Sequence, residues 1–355
     1  MMAGLPAAGA AFVYVGNSES HDITVLALDA SGALRTIETV AVPQRPTPGS
    51  ALPLAVSPDQ RFLFAALRAV PYEVATFRID ATTGRLAYAG RGPLPASMTY
   101  IATDRAGRYL LSASYNASVV AVSPIGVNGV VGNTRQTRTT VPKAHSIVAA
   151  PSNQFVLYAS LGGDVIHQDR FDPSIGTLTP NVPPTVDVEH GAGPRHFVFS
   201  PAGTFVYLLN ETDGSIYVLP YDAATGTLAR PVQIASALPN DFAGKPWAAD
   251  IHITPNGRFL YASERTSSTL AAFRVDVERG TLARVGTYLT ATQPRAFAID
   301  PFGRYLLAVG QLSNSMTSYA INQRSGRLTR LAETPVGKNP SSVVVVTFAF
   351  SKLSP

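Results

Sequence analysis

Cysteine is absent from this chain, which excludes disulfides, thiolate zinc sites and a cysteine nucleophile. No run of about 18 apolar residues occurs, so no membrane-spanning helix is expected. Charged residues are scarce, at 14%, and no block of Lys and Arg resembles a nucleic-acid-binding arm. The net charge of +5 comes from scattered arginines and indicates at most a weak preference for small anions.

Two catalytic motifs are missing as well. The motif G-x-S-x-G does not occur, so a nucleophilic serine is not expected. The six histidines include no pair spaced as H-x-H or H-E-x-x-H, so the sequence offers no metal site built from neighbouring histidines. His252, inside the apolar strand IHIT, is interpreted as a core histidine with a hydrogen-bond partner.

Apolar residues make up 46% of the 355 residues, which is enough for a large core. The length allows two ordinary domains or one large symmetric domain. The first residues, MMAGLPAAGAA, lack the positive n-region of a signal peptide and are interpreted as a short tail, which predicts a cytoplasmic protein.

The sequence repeats with a period of about 50 residues, which indicates a repeat architecture. Each copy has a short strand, a turn with Pro, Gly, Asp or Asn, and a second apolar strand, as in FVFSPAGTFVYLLN. The first aromatic residue of the second strand serves as an anchor for each copy. The anchors are Phe12, Phe62, Tyr109, Phe155, Phe205, Phe259 and Tyr305.

A second marker runs in phase with the first, an acidic or polar residue followed by a short turn and a glycine, as in IDATTGRL. A glycine there suits a hairpin residue with positive φ. The marker glycines are Gly32, Gly84, Gly129, Gly176, Gly226, Gly280 and Gly326. Both markers therefore count seven copies.

Seven repeats of four short strands, without helical periodicity, predict an all-β, seven-bladed β-propeller with four antiparallel strands per blade. A β-solenoid is the main alternative, but its repeats are usually far shorter. We expect residues 341–348 to supply the innermost strand of the first blade and to close the ring. The expected organisation is a tail at 1–11, one propeller at 12–348 and a second tail at 349–355.

The repeat also predicts which residues share a face. The two inner strands of a blade form an antiparallel hairpin, so the start of the first and the end of the second meet at one end of the channel. The first position is occupied by Leu52, Thr99, His145, Arg195, Ala249 and Arg295, and the next by Pro53, Tyr100, Ser146, His196, Asp250 and Ala296. The second strands end in Ser18, Arg68, Tyr115, Leu161, Glu211, Arg265 and Gln311.

Four arginines and two histidines fall in these positions. Burying arginine is costly unless it pairs or meets an anionic ligand, so the pattern predicts an anion site at one channel mouth. The alternative is that Glu211 and Arg265 form a structural salt bridge and the other arginines face solvent.

The segments GAGPRH (191–196), LLNE (208–211), WAADIHITPNGRFLYASERT (247–266) and TQPRAF (292–297) resemble those of the propeller-type bacterial 6-phosphogluconolactonases. So do LPASMTYIATD (94–104), SYNAS (114–118) and AHS (144–146), and the similarity runs from about residue 12 to 345. The resemblance implies a propeller that opens a sugar lactone, with 6-phosphogluconolactone as the first expectation.

Because the same family includes hexaric-acid lactonases and carboxymuconate cyclases, two other activities stay open. One is hydrolysis of an unphosphorylated aldaric or aldonic lactone such as galactaro-1,5-lactone, and the other is carboxymuconate cycloisomerisation. A propeller that only binds other proteins is the non-enzymatic alternative, and the polar channel positions argue against it.

The resemblance also implies a catalytic group of one histidine, two arginines and one glutamate, which match His145, Arg195, Glu211 and Arg265. We expect His145, or else Glu211, to activate water as a general base, and the arginines to stabilise the oxyanion. The residues expected to contact the substrate are Arg68, Tyr100, Asn116, His196, Lys245, Trp247, Asp250, Arg295 and Gln311.

Two positions depart from the family pattern. Tyr100 replaces a histidine, and Lys245 with Pro246 stands where an arginine precedes the tryptophan, so both changes bear on phosphate specificity. The expected partner is a small sugar lactone with a phosphate or carboxylate, without nucleic acid or membrane, and the protein is expected to be a monomer or homodimer. No cofactor is expected, although carboxylates from separate blades leave a divalent metal open.

Overall fold

The computed structural model describes residues 10–43 and 51–348. Blade 1 begins with β1 (Ala10–Asn17), β2 (Asp22–Leu28) and β3 (Leu34–Ala41). Blade 2 has β4 (Leu54–Val56), β5 (Phe62–Leu67), β6 (Glu73–Ile79) and β7 (Leu86–Pro93). Blade 3 has β8 (Tyr100–Thr103), β9 (Tyr109–Ser114), β10 (Val119–Pro124) and β11 (Gln136–Thr139).

Blade 4 has β12 (Ala144–Ala149), β13 (Phe155–Ser160), a short 3-10 helix (Leu161–Gly163), β14 (Val165–Asp172) and β15 (Thr177–Asp187). Blade 5 has β16 (Pro194–Phe199), β17 (Phe205–Asn210), β18 (Ser215–Asp222) and an outer strand split into β19 (Thr227–Leu228) and β20 (Gln233–Ser236). Blade 6 has β21 (Ala248–Ile253), β22 (Phe259–Glu264), β23 (Thr269–Val275) and β24 (Leu282–Leu289).

Blade 7 has β25 (Pro294–Ile299), β26 (Tyr305–Gly310), β27 (Ser315–Ile321) and β28 (Leu328–Pro335), and β29 (Pro340–Phe348) follows it. All pairings within the blades are antiparallel, and β29 takes the innermost place in blade 1. The innermost strands β29, β4, β8, β12, β16, β21 and β25 contact one another in a ring. This confirms the expected seven-bladed propeller.

The core lies between neighbouring blades and not on the central axis. Seven apolar clusters fill the seven interfaces between blades. At the first interface, Phe12 and Tyr14 of blade 1 pack with Leu63 and Phe77 of blade 2. A strand such as β5 is therefore buried on both faces and reads as a continuous apolar run. Because the blade faces hold the core, the axis can be lined by polar side chains.

The two sequence markers meet at these interfaces. A Cβ on Gly84 would lie 2.3 Å from the ring of Phe12 in the preceding blade, and one on Gly226 would lie 2.1 Å from Phe155. Both glycines have a φ of +72°, so both the backbone and the space require glycine. The same contact recurs in the pairs Gly32–Tyr305, Gly129–Phe62, Gly176–Tyr109, Gly280–Phe205 and Gly326–Phe259. The markers recur in phase because each glycine packs on the preceding anchor.

The pairing of β29 with β1 joins the two ends of the chain. Val13 lies opposite Val345 in this antiparallel pair, which confirms that residues 341–348 close the ring. Strand β1 begins at Ala10, so residues 10 and 11 belong to blade 1 and not to the expected tail. The rest of that tail, 1–9, and the expected tail at 349–355 lie outside the described residues. In the described ranges, no helix is long and apolar enough to cross a membrane.

Candidate active site

A β-bulge recurs at the start of several innermost strands. The pairing of β12 with β13 shifts at His145, and the same shift falls on Arg195 in β16 and Arg295 in β25. In β21 it spans Ala249 and Asp250. A bulged residue leaves the regular alternation of a strand and can be aimed in a new direction. Four polar side chains thus reach the channel from four different blades.

The channel mouth holds a cavity of about 170 Å³ to which all seven innermost strands contribute. Its polar lining consists mainly of Tyr100, His145, Arg195, His196, Asp250, His252 and Arg295. Such a cavity with a few convergent polar groups is the usual form of a small-molecule site.

Glu211 pairs with two buried arginines beside this cavity. Its Oε2 accepts hydrogen bonds from Arg195 and Arg265, each at 2.7 Å, and these arginines are only 1% and 3% exposed. Further N–H groups of the two arginines donate to the carbonyls of Ala249 and Trp247. Burial raises the pKa of Glu211, but the charges and hydrogen bonds of the two arginines together outweigh it and lower that pKa. The carboxylate therefore orients the arginines and is a poor acceptor for a further proton.

Two neutral histidines of the cavity lining pack edge to face. The ring centroids of His145 and His196 are 5.1 Å apart. Burial, followed by the charge of Arg195, lowers the pKa of His145 well below its usual value and that of His196 to about 4. Nδ1 of His196 lies 2.8 Å from Oδ1 of Asp250. In contrast, Nδ1 of His145 is buried and has no hydrogen-bond partner in the described part of the chain.

Asp250 joins three blades through four hydrogen bonds. Its Oδ1 accepts from Nδ1 of His196 at 2.8 Å and from the backbone N–H of Ile251 at 3.0 Å. Its Oδ2 accepts from Nε2 of His252 and from the backbone N–H of Phe297, both at 3.2 Å. Burial raises the pKa of Asp250, but the two histidines together bring that pKa well below its usual value. The carboxylate is therefore ionised and can only accept hydrogen bonds.

Arg295 lines the cavity without a carboxylate partner. No hydrogen bond or ion pair joins its guanidinium to a residue in 10–43 or 51–348. Burial, with the charges of Arg195 and Arg68, lowers its pKa to about 9. The site thus combines three guanidinium groups with two carboxylates, and an anionic ligand would balance the excess positive charge.

The comparisons with known proteins agree with this architecture. Residues 11–345 match the family described as Lactonase, 7-bladed beta-propeller. The chain belongs to this lactonase family. The 6-phosphogluconolactonase of Serratia proteamaculans (strain 568) is 42% identical over 334 residues, which cover 94% of this chain and 98% of that protein. The 6-phosphogluconolactonase of Yersinia pestis (strain Pestoides F) is 42% identical over 289 residues, covering 81% and 84%.

Solved structures of related proteins share the fold over nearly the whole chain. The periplasmic gluconolactonase of Pseudomonas aeruginosa has a TM-score of 0.87 at 29% identity, with 95% of this chain and 99% of that chain covered. A protein from Lactobacillus plantarum has a TM-score of 0.83 at 26% identity, covering 95% and 99%.

The four residues matched to a lactonase catalytic group lie together. Glu211 contacts Arg195 and Arg265 directly, and the charges of both arginines act on His145. The salt bridge of Glu211 with Arg265 that the alternative interpretation expected is present. However, that interpretation required the other arginines to face solvent, and Arg195 is instead buried in the same network. The roles of these residues stay predictions.

Of the expected substrate contacts, four line the cavity of this lactonase-family protein: Tyr100, His196, Asp250 and Arg295. Tyr100 packs edge-on against His196, with ring centroids 5.2 Å apart. Trp247 lies outside the lining, where it stacks on the guanidinium of Arg265 at 3.9 Å and is 40% exposed. It therefore covers the arginine from the solvent side.

The other four expected contacts do not reach the cavity. Asn116 lies on a turn and Lys245 on a loop, and both residues are exposed. Gln311 donates a hydrogen bond to Asn339. Arg68 lines a smaller adjoining pocket, and its Nε donates to a serine hydroxyl at 2.9 Å. Arg68, Asn116 and Gln311 follow the end of a second strand, whereas Lys245 lies on the loop before β21.

His252 is a cavity residue that the sequence did not identify. The apolar strand IHIT predicts a core position, and this prediction is wrong, since 41% of the side chain is exposed in the channel. Burial lowers the pKa of His252, but the charge and hydrogen bond of Asp250 together raise it above its usual value. The signal was available, because residues two apart in a strand share a face and Asp250 was already a candidate.

Within the described ranges, no group of three His, Asp or Glu side chains is arranged to hold a metal ion. That the protein works without a cofactor stays a prediction.

Proposed function

We propose that this protein hydrolyses 6-phosphogluconolactone to 6-phosphogluconate. The observation that carries the proposal is Arg295, a guanidinium of the cavity lining that has no directly paired negative charge among residues 10–43 and 51–348, in the same cavity as Arg195 and two neutral histidines. A phosphate group would supply that charge through charge-assisted hydrogen bonds. The 42% identity to the Serratia proteamaculans enzyme points to the same substrate.

In the proposed reaction, a water molecule attacks the lactone carbonyl and negative charge develops on its oxygen. Arg195, held by Glu211 and by the carbonyl of Ala249, is oriented before the substrate arrives and would donate to this oxyanion. One such donor is typically worth about 10²–10³ in rate. Arg265 shares the Glu211 carboxylate and keeps it ionised. Glu211 thus acts as a positioning residue, and a neutral histidine takes the water proton.

An unphosphorylated sugar lactone is the second candidate substrate. The Pseudomonas aeruginosa relative is named a gluconolactonase. Tyr100, which replaces the histidine of the family pattern, lies in the cavity lining, and the exposed Lys245 is not part of that lining. In this case Arg295 would bind a carboxylate or hydroxyl group.

An assay with matched substrates tests the proposal. The purified protein is given 6-phosphogluconolactone, glucono-1,5-lactone, galactaro-1,5-lactone and 3-carboxymuconate, with acid release and absorbance followed above the spontaneous rate. We expect the highest kcat/KM with 6-phosphogluconolactone. Equal or faster turnover of an unphosphorylated lactone, or turnover of carboxymuconate alone, would contradict the proposed substrate.

A variant at the proposed phosphate contact sharpens this assay. Arg295→Gln is expected to raise KM for 6-phosphogluconolactone at least about tenfold, with a smaller change in kcat, because a charge-assisted bond is lost. The KM for glucono-1,5-lactone is expected to change little. Equal loss with both substrates would show that Arg295 does not bind the phosphate.

We further propose that the protein needs no metal and works in the cytoplasm as a monomer or homodimer, without nucleic acid or membrane. A phosphorylated sugar acid is charged and is retained inside cells, which supports that location. Activity lost on EDTA treatment, a higher oligomer in light scattering, or a periplasmic fraction carrying the activity would each contradict one of these points.

A further inference from the structure

We propose that His196 is the general base of the lactone hydrolysis and that Asp250 is its positioning residue. This inference rests on the proposed function and goes beyond it, since family resemblance directs attention to His145. The supporting geometry is an ionised carboxylate that holds one ring nitrogen of His196, a residue of the cavity lining, while the other ring nitrogen makes no hydrogen bond with a described residue.

The hydrogen bonds of Asp250 determine which nitrogen of His196 carries the proton. An ionised carboxylate accepts only, so Nδ1 of His196 must be the donor in the 2.8 Å contact. A neutral imidazole has one donor and one acceptor nitrogen, so the lone pair of His196 is on Nε2. Nε2 makes no hydrogen bond with any residue the structure describes. It is therefore free to accept a proton from water.

The carboxylate itself is held rigidly, which a positioning residue requires. Donors from blades 5, 6 and 7 meet its two oxygens, including the backbone N–H groups of Ile251 and Phe297. The backbone N–H of Asp250 donates to Ser263 Oγ at 3.0 Å. His252 completes the set on Oδ2. Since the side chain of Asp250 is 9% exposed, water competes little for these bonds.

His145 lacks the equivalent support. Its Nδ1 is buried without a partner among the described residues, and its ring contacts are the edges of Tyr115 and His196. The charge of Arg195 acts on both histidines, but an imidazolium at His145 would have no carboxylate hydrogen-bonded to it. His196 instead forms its imidazolium against Asp250. The relation of base and carboxylate is the one found in Ser-His-Asp hydrolases.

Nε2 of His196 takes a proton from water as the water oxygen bonds to the lactone carbonyl carbon, and the carbonyl electrons move to the oxyanion beside Arg195. The oxyanion then collapses, the bond between the carbonyl carbon and the ring oxygen breaks, and the leaving oxygen takes the proton from Nε2. The products are one carboxylic acid, which ionises, and one hydroxyl group, and His196 returns to its neutral form.

Three matched substitutions test this assignment with 6-phosphogluconolactone, or with whichever lactone the wild type hydrolyses. His196→Gln and Asp250→Asn are expected to lower kcat by about 10²–10⁴, the usual worth of a general base, with KM changed less than about threefold. His145→Gln is expected to lower kcat by less than about tenfold. His167→Gln is the control, because His167 stacks on Tyr158 outside the cavity.

Chemical rescue separates a lost base from a misfolded site. His196→Ala is expected to regain at least about tenfold activity in added imidazole, whereas Arg195→Ala is expected to regain none. A folded His196→Gln with activity within about tenfold of wild type would overturn the assignment. So would an equal or larger loss in His145→Gln, or no imidazole rescue of a folded His196→Ala. These results leave lactone hydrolysis standing, whereas a wild type inactive on every lactone would overturn the proposed function itself.

Discussion

Replacing Glu211 with glutamine tests whether the buried arginines depend on this carboxylate. The substitution keeps the shape but removes the charge that faces Arg195 and Arg265. Glutamine can accept one guanidinium bond through its oxygen, but its NH₂ group points donors at the other guanidinium. Because the arginines are 1% and 3% exposed, solvent cannot replace the lost partner. Breaking a buried pair in this way costs about 3–5 kcal/mol.

Such a loss is expected to lower the melting temperature by about 4–7 °C in a chain of this size. Wild type and variant are compared by scanning calorimetry at one scan rate, since large proteins often unfold irreversibly. Glu73→Gln is the matched control. Glu73 is 17% exposed, close to the 15% of Glu211, but its partner Arg91 is 52% exposed. A pair with a solvated partner contributes at most about 1 kcal/mol. Equal shifts in the two variants would refute the buried-pair argument.

Three further predictions concern the fold. Gly84→Ala is expected to lower the free energy of unfolding by about 2–5 kcal/mol in denaturant titration, because the new Cβ clashes with the ring of Phe12 and the backbone has a positive φ. Gly191→Ala is expected to cost only about 1–2 kcal/mol, because its φ of +81° is strained but no atom lies near the new Cβ. Equal losses would refute the packing argument. Deletion of 340–348 removes the strand that closes the ring and is expected to give aggregated protein in size-exclusion chromatography, and a monodisperse folded monomer would contradict this. Burial lowers the pKa of His167 to about 4, so the unfolded chain binds more protons between pH 4 and 6.5, and stability is expected to fall as pH falls through that range. His167→Gln is expected to weaken this dependence of the melting temperature, and an unchanged slope would contradict it.

The fold could be predicted because its repeating unit places the same residue types at regular intervals in the sequence. An anchor such as Phe205 begins β17, and a marker glycine such as Gly280 packs on it from the next blade. Packing of this kind tolerates few residue types, so it repeats in the sequence. Counting residues from the anchors also brought Arg195 and Glu211 to the same end of the channel, where the structure pairs them.

The same counting was less successful at the ends of the second strands. Arg68 and Gln311 were expected at the mouth, but Arg68 lines a smaller adjoining pocket and Gln311 donates a hydrogen bond to Asn339. His252 was missed because an apolar strand in a propeller can still present one face to the axis. Distance along the chain does not say which way a loop leaves the sheet.

By itself, the sequence determined the number of blades, the closure of the ring and the set of polar residues near the axis, because strand packing and hairpin turns are local and repeat in every blade. Only the tertiary structure decided how those residues are used. The bulges that aim His145 and Arg195 depend on a one-residue shift against the neighbouring strand. The bond from His196 to Asp250 crosses between blades, so it depends on their relative placement. The register shift is a property of the strand pairing, and the hydrogen bond joins strands of different blades, so neither can be read from the order of residues alone.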